Sequence, residues 1–386
     1  MLIYGGSFNP PHLGHVDALR CAVDALRPDR ALVIPAGMPP HKELAQGSPG
    51  PADRLTLCRL AFSAVEGAEV SDLELRRDGK SYTVETLRAL QKEYPEADFI
   101  FLVGTDMLLS LEKWYEFREI FSLCDLAALP RNEGDLPAMR QVEKHLLDTY
   151  GEKISLIEKA PLPMNSTSLR SDLPLRGGRD RLSEGVYEEI IRRRYYFAKP
   201  DLAWLREKAY AYLKPRRIPH VKGCEETAVA LARRWGEDEG EAAEAAILHD
   251  ITKKLSYAEQ LQLCGKYSIE LDEAERADEK LLHARTGACF ARDLFGVSDA
   301  VFSAIDCHTT GKPGMTTLDK IIYLADYTEP NRSFPGLERV RELCTEDLDL
   351  AMIEALQLSE KEILSRGTSP HPRGAETLKW LRTKES

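Results

Sequence analysis

The chain has 386 residues, 43% of them hydrophobic, and its formal net charge is -11. The composition is that of globular protein, and the length suits two or three domains rather than one core. Residues 1–200 hold 26 basic and 30 acidic side chains, and residues 201–386 hold 26 and 33. Neither half has the basic excess that a phosphate backbone demands, so nucleic acid is not an expected partner. No run of about 18 apolar residues predicts a membrane span, and no charged n-region marks a signal peptide. The eight Cys stand far apart with no C-x-x-C pair, which fits a reduced, cytoplasmic compartment.

In chain order, Met1–Tyr4, Ala31–Pro35, Phe99–Val103 and Leu126–Leu129 read as short buried strands. Val16–Leu26, Arg54–Val65 and Thr83–Tyr94 carry apolar residues at helical spacing between them. This alternation predicts an α/β fold, a parallel sheet with helices on both faces, whose ligands bind outside the carboxyl ends of the strands. Pro130–Pro137 reads as a surface loop. After Tyr196 the pattern changes to helices throughout. Glu225–Trp235, Glu241–Leu255, Tyr257–Cys264 and Ala284–Phe295 are followed by Asp299–His308, Thr317–Tyr327 and Leu348–Leu364. Gly236, Gly265 and Gly296 stand where C′ glycines are expected. Residues 1–198 and 202–386 are therefore expected as an α/β domain and an all-α bundle, joined near Lys199-Pro200-Asp201.

Gly5-Gly6-Ser7-Phe8-Asn9-Pro10-Pro11-His12-Leu13-Gly14-His15 follows the first strand and opens the first helix. Strand, glycine turn and helix N-terminus make an anion site. Two imidazoles three residues apart face the same way and can donate to one phosphate group. The glycine spacing is neither G-x-G-x-x-G nor a Walker A loop. This segment closely resembles the signature of the nucleotidyltransferase superfamily. Pro39-Pro40-His41-Lys42, Ser81-Tyr82-Thr83, Gly104-Thr105-Asp106, Trp114, Pro130-Arg131 and Asn165-Ser166-Thr167-Ser168-Leu169-Arg170 follow in order. Together they resemble bacterial nicotinate-mononucleotide adenylyltransferases, with departures at Thr105, Asn165 and Leu169.

The resemblance implies a Rossmann-like domain that joins ATP, carried with Mg²⁺, to nicotinate mononucleotide. It implies catalytic roles for His12, His15, Lys42 and Arg170. Nucleotide contacts would come from Gly5, Gly6, Ser7, Phe8, Asn9, Gly104, Asp106, Ser166 and Thr167. Tyr82, Thr83 and Trp114 would form the pyridine-ring site. Transfer to nicotinamide mononucleotide, or to another acceptor, is the alternative.

In the second half, His220, His249-Asp250, His283, His308 and Asp326 form an ordered set on predicted helices. A buried Asp beside His calls for a partner, and a metal is the obvious one. The set resembles the HD phosphohydrolase superfamily. The wording around His220, His308 and Asp326 is similar to that of bacterial HD-domain symmetrical diadenosine tetraphosphate hydrolases. The resemblance implies an HD-domain bundle with two transition metals, iron favoured, held by the six residues with Asp250 bridging. Lys253 and Arg332 are expected phosphate contacts. A nucleotide-sensing module without turnover is the alternative reading. Small-molecule nucleotides are the expected partners, and a homo-oligomer is compatible with the sequence.

Overall fold

The computed structural model describes residues 1–37, 44–77 and 79–383. It divides into two compact units, Met1–Lys199 and Pro200–Ser386.

The first unit holds six strands, β1 (Leu2–Gly6), β2 (Ala31–Pro35), β3 (Ala68–Val70), β4 (Ile100–Gly104), β5 (Asp125–Leu129) and β6 (Ile154–Leu156). Every pairing is parallel, in the order β3-β2-β1-β4-β5-β6. The helices are α1 (Leu13–Leu26), α2 (Pro51–Phe62), α3 (Thr83–Glu93), α4 (Thr105–Leu109), α5 (Phe117–Leu123), α6 (Leu136–Tyr150), α7 (Ser166–Asp172) and α8 (Glu184–Arg193). All five residues of β2 are apolar and buried, and so are Leu2 and Ile3 of β1, as expected of strands covered on both faces. Ile3, Ile34, Phe101 and Ala128 join one core cluster with Val84 and Leu87 of α3, Ile120 of α5 and Met139 of α6. The chain leaves β1 in one direction for β2 and β3, and reaches β4 to β6 on the other side. The carboxyl ends of β1 and β4 thus flank the switch point where ligands bind in such sheets.

Two strands escaped the sequence reading, because β3 and β6 are three residues each and show no period. Pro130–Pro137 is only partly a loop. Glu133–Asp135 forms a 3-10 turn and α6 already begins at Leu136, with Pro137 in its first turn, where proline is tolerated.

The second unit is helical throughout its described residues. It comprises α9 (Leu202–Tyr210), α10 (Ile218–Trp235), α11 (Glu239–Leu248), α12 (Tyr257–Lys266), α13 (Glu273–Ala277), α14 (Leu282–Phe295), α15 (Asp299–Cys307), α16 (Thr317–Thr328), α17 (Leu337–Glu346), α18 (Leu348–Ser365) and α19 (Pro372–Arg382). Gly236 and Gly296 take left-handed φ and end their helices, whereas Gly265 lies inside α12 and Ser268 supplies the positive φ beyond it. The expected helix Glu241–Leu255 stops at Leu248, and the chain turns through His249 and Asp250. No described helix is long and apolar enough to cross a membrane.

Candidate functional sites

At the carboxyl ends of β1 and β4 lies a cavity of about 810 Å³. Gly5, Gly6, Ser7, Phe8, Asn9, His12, His15, Gly104, Asp106, Ser166, Thr167 and Arg170 all line it. The expected Lys42 lies outside the described residues.

His12 caps α1 and His15 is its third residue. His15 N donates to His12 Nδ1 (3.3 Å), and His12 N donates to His15 Nδ1 (3.2 Å). Since both Nδ1 atoms accept, both Nε2 atoms carry hydrogen and are free to donate. The rings stack, with centroids 3.7 Å apart. Burial, with help from Arg131 and Arg181, lowers His12 to a pKa of about 4. Burial, His12 and Arg131 push His15 well below its ordinary value. Both are neutral donors at pH 7.

Other residues of the loop hold it in place. Phe8, at φ 41°, packs edge-on against Tyr4, His15 and Phe62. A Cβ on Gly6 would come within 2.9 Å of the Phe8 ring, so Gly6 makes room for that ring. Asn9 is buried, donating to Ser48 Oγ (2.8 Å) and accepting from the Tyr196 hydroxyl (2.6 Å). Arg170 donates to Asn9 O (2.6 Å) and Thr167 Oγ1 (3.1 Å), which ties α7 to the loop. Asn165 caps α7 by accepting from Thr167 N at 2.7 Å, so this departure supplies a strong N-cap. Thr105 is also used: its hydroxyl donates to Asp135 (2.7 Å) and accepts from Arg131 N (3.1 Å).

Arg181 and Arg54 were missed, and Arg131, noted in sequence only as part of Pro130-Arg131, was given no role. Arg131 pairs with Asp106 at 2.7 Å, and Arg181 also lines the cavity. Arg54 is fully buried and donates to Ser7 O, Ala36 O and Gly37 O. In sequence Arg54 is one more charge on a helix, and nothing there signals its burial.

A second cavity, of about 510 Å³, shares Gly5, Gly6, Ser7 and Asp106 with the first. Ser81, Tyr82, Thr83 and Trp114 wall it, with the unforeseen Glu74 and Tyr115. Tyr82 caps α3 without a side-chain bond, so the first N–H groups of the helix lack intrahelical partners. Trp114 lines the cavity and also packs edge-on against Phe101, with centroids 6.3 Å apart.

In the second unit the six expected residues converge. His220 lies on α10, His249-Asp250 follow α11, His283 opens α14, His308 ends α15 and Asp326 lies on α16. The Nδ1 atoms of His249, His283 and His308 lie 2.7, 2.6 and 2.7 Å from Ala246 O, Lys280 O and Ile305 O. A carbonyl only accepts, so each Nδ1 carries a hydrogen and, in the neutral ring a metal requires, each Nε2 offers a lone pair. His220 Nδ1 is held likewise by Glu329 Oε1 at 3.1 Å. The Nε2 atoms point inward: His283 and His308 Nε2 are 3.1 Å apart, two lone pairs face to face.

Asp250 is fully buried, and its oxygens face different partners. Oδ2 is 3.4 Å from His249 Nε2 and 3.8 Å from His220 Nε2, while Oδ1 is 3.2 Å from His283 Nε2 and 3.9 Å from His308 Nε2. Asp326 Oδ1 lies 3.0 Å from His220 Nε2. Several of these contacts lack hydrogen-bond geometry, so His220 Nε2, His249 Nε2 and Asp250 Oδ1 are buried and unsatisfied. Burial would raise both carboxyls, but His249, His283 and Lys253 hold Asp250 well below the usual range. Against the same burial, His220 and Arg332 hold Asp326 low. Burial and neighbouring imidazoles keep His308 neutral. Inward lone pairs, two buried carboxylates and orphaned polar atoms fit divalent cations.

Asp272, Glu275 and His371 form another close cluster. There His371 Nδ1 accepts from Arg373 N (3.1 Å), so Nε2–H donates to Asp272 (3.0 Å) and the cluster satisfies itself.

Glu329, Gly223 and Arg217 belong to the centre and were not assigned roles from sequence. Arg217 pairs with Asp250 Oδ2, Lys253 lies 3.0 Å from Asp250 Oδ1, and Arg332 lies 2.7 Å from Asp326.

Together, these features define a nucleotidyltransferase-type α/β domain followed by an HD-type metal domain. The cytidylyltransferase-like family model matches residues 3–171, and the HD domain model matches residues 217–331. A Synechococcus protein named a probable nicotinate-nucleotide adenylyltransferase is 36% identical over 198 residues, covering 51% of this chain and 94% of its own. A symmetrical bis(5′-nucleosyl)-tetraphosphatase of Halalkalibacterium halodurans is 41% identical over 181 residues, covering 46% of this chain and 96% of its own. A Mycoplasma genitalium protein, named a probable nicotinate-nucleotide adenylyltransferase/Ap4A hydrolase, is 26% identical over 333 residues, covering 86% of this chain and 88% of its own. The chain belongs to the nicotinate-nucleotide adenylyltransferase family through its first half and to the symmetrical bis(5′-nucleosyl)-tetraphosphatase family through its second.

Proposed function

We propose that the chain is a bifunctional enzyme. Residues 1–198 transfer the adenylyl group of ATP to nicotinate mononucleotide, giving nicotinate adenine dinucleotide and pyrophosphate. Residues 202–386 cleave diadenosine tetraphosphate symmetrically to two ADP. The observation that carries the first assignment is the pair of neutral histidines, each fixed as an Nε2–H donor in a cavity at the sheet's switch point.

The acceptor phosphate is already an anion, so no general base is needed. Its oxygen attacks the α-phosphorus of ATP, the bond to the β-phosphate oxygen breaks, and pyrophosphate leaves with that electron pair. Catalysis is alignment and stabilisation of spread negative charge. His12 and His15 donate to the phosphates through Nε2. Arg170 and the start of α7, with Ser166 and Thr167, hold further oxygens, and Lys42 adds a cation. Mg²⁺ arrives with ATP. The uncapped start of α3 suits the carboxylate of a nicotinate ring better than an amide, which favours nicotinate over nicotinamide mononucleotide.

In the second unit, His220, His249, Asp250, His283, His308 and Asp326 would hold two divalent ions. We favour iron, since imidazole-rich sets suit transition metals better than Mg or Ca. Such ions, when bound, supply Lewis acidity and a clamp on the attacked phosphate. Lys253 and Arg332 hold substrate phosphates. The fully formed ligand set favours turnover over a purely sensing module. We further propose a cytoplasmic setting.

Product formation with the two mononucleotides side by side tests the transferase, and preference for the amide would overturn the assignment. For the hydrolase, two ADP per diadenosine tetraphosphate is the expected product. AMP with ATP, or no cleavage by metal-replete protein, would overturn it.

A further inference from the structure

Glu74 is a buried acid in the wall of the 510 Å³ cavity. A carboxylate there is surprising, because the proposed ligand brings a carboxylate of its own. The hydrogen bonds resolve the conflict. Glu74 Oε1 accepts from Thr86 Oγ1 at 2.7 Å, and Arg77 donates to the same hydroxyl at 2.6 Å. Burial raises the Glu74 pKa, and the Thr86 and Ser81 hydroxyls, Arg77 and the Gly37 N–H oppose that rise. Ser81 Oγ in turn accepts from Gly37 N at 3.1 Å. A Cβ on Gly37 would lie 2.5 Å from Glu74 O, so the two segments pack backbone to backbone.

Ser81 immediately precedes Tyr82, the N-cap of α3, and Thr86 is the fourth residue of that helix. The Glu74 segment therefore braces both ends of the stretch that starts α3: its carboxylate holds Thr86, and the Gly37 backbone packed against it bonds Ser81. The Thr86 hydroxyl bonds the Glu74 carboxylate, and the Arg77 guanidinium beyond that hydroxyl favours its charge.

We propose that Glu74 is a positioning residue that sets the acid-over-amide selectivity of the mononucleotide cavity. It holds the start of α3 so that the backbone donors of Thr83 and Val84 meet a ring carboxylate. A ring amide would set its own NH₂ against one of them. The inference rests on the cavity being the pyridine-ring site.

The test uses the full chain and its Glu74→Gln and Thr86→Val variants, with thermal melts as a folding check. Gln keeps an acceptor for Thr86 but removes the negative charge that Arg77 faces. Val removes the Thr86 tie without changing charge. The expected result is a fall of about 10-fold in the kcat/KM ratio of nicotinate to nicotinamide mononucleotide, carried by the mononucleotide KM, with the KM for ATP within about twofold of the parent. A purely structural role would lower stability and leave that ratio alone. An unchanged ratio in folded variants overturns the proposal, and Thr86→Val decides the matter if Glu74→Gln does not fold. A parent protein without any preference for the acid would instead overturn the pyridine-site reading beneath it.

Discussion

Replacing Gly223 by Ala should weaken the metal centre without touching a ligand. Gly223 sits on α10, one turn beyond His220. A Cβ there would lie 2.6 Å from Glu329 Oε2 and 3.1 Å from both Pro330 Cδ and Asn331 Nδ2. Ordinary contact begins at 3.4 Å. The carboxylate must then withdraw by about 0.8 Å, and it cannot easily rotate, because Oε2 also accepts from Asn331 N (2.7 Å) and Asn331 Nδ2 (2.8 Å). Its other oxygen holds His220 Nδ1 at only 3.1 Å, so the same movement takes that bond past hydrogen-bonding reach. Loss of such an outer-shell partner costs about 10- to 100-fold in metal affinity. Ala is the better helix former by about 1 kcal/mol, which offsets part of the packing strain and helps the variant fold. The assay is competition between chelator-stripped protein and a coloured chelator for Mn²⁺ or Fe²⁺. An affinity equal to that of the parent in Gly223→Ala would refute the claim that Glu329 orients His220.

Three further outcomes follow from other parts of the molecule. His12 has a folded pKa of about 4 against an ordinary 6.5. The unfolded chain therefore binds its proton first, and stability is retained above 6.5 and lost as pH falls toward 4, by up to about 3 kcal/mol; denaturant midpoints of the parent and His12→Ala should converge across that window. Arg54→Met strands three carbonyls that the guanidinium now satisfies, and should cost about 3 kcal/mol in urea unfolding of the first unit; a loss below about 1 kcal/mol would mean that water or a rearrangement satisfies them. Stripping metal with a chelator should lower the melting transition of the second unit, by about 4 kcal/mol at ion concentrations a thousandfold above Kd, and leave transferase activity in place. A calorimetric trace unchanged by the chelator would argue against a resident cation.

How much was legible depended on whether a feature's cause is local. β2 was read with its observed bounds because five consecutive apolar residues between Arg30 and Ala36 announce a buried strand. β3 and β6 are too short to have a period, and their pairing to β2 and β5 comes from the finished sheet. The break after Leu248 was hidden because Ile251 and Leu255 continue an apolar spacing, while the backbone turns to bring His249 and Asp250 inward. The six candidate ligands and both histidines of the first loop were visible as residue types in a fixed order. Their supports were not. Arg54, Glu74 and Glu329 act across 12 to 109 residues of chain through bonds that no local pattern encodes, and Gly223 acts by leaving room for Glu329. In sequence, Thr105 and Asn165 stood out only as mild departures from the family pattern. In the fold each makes specific hydrogen bonds, one to the Arg131–Asp135 turn and the other as a helix cap.

The central claim is that one chain carries two reactions in two separately built sites. The direct test is a pair of variants of the full chain, His15→Ala and Asp250→Asn, each assayed for both reactions. The account predicts that His15→Ala loses at least about 100-fold in adenylyl transfer while cleaving diadenosine tetraphosphate at the parent rate, and that Asp250→Asn does the reverse. If either variant lost both activities while still folded, or if Asp250→Asn hydrolysed diadenosine tetraphosphate normally, the account would be contradicted.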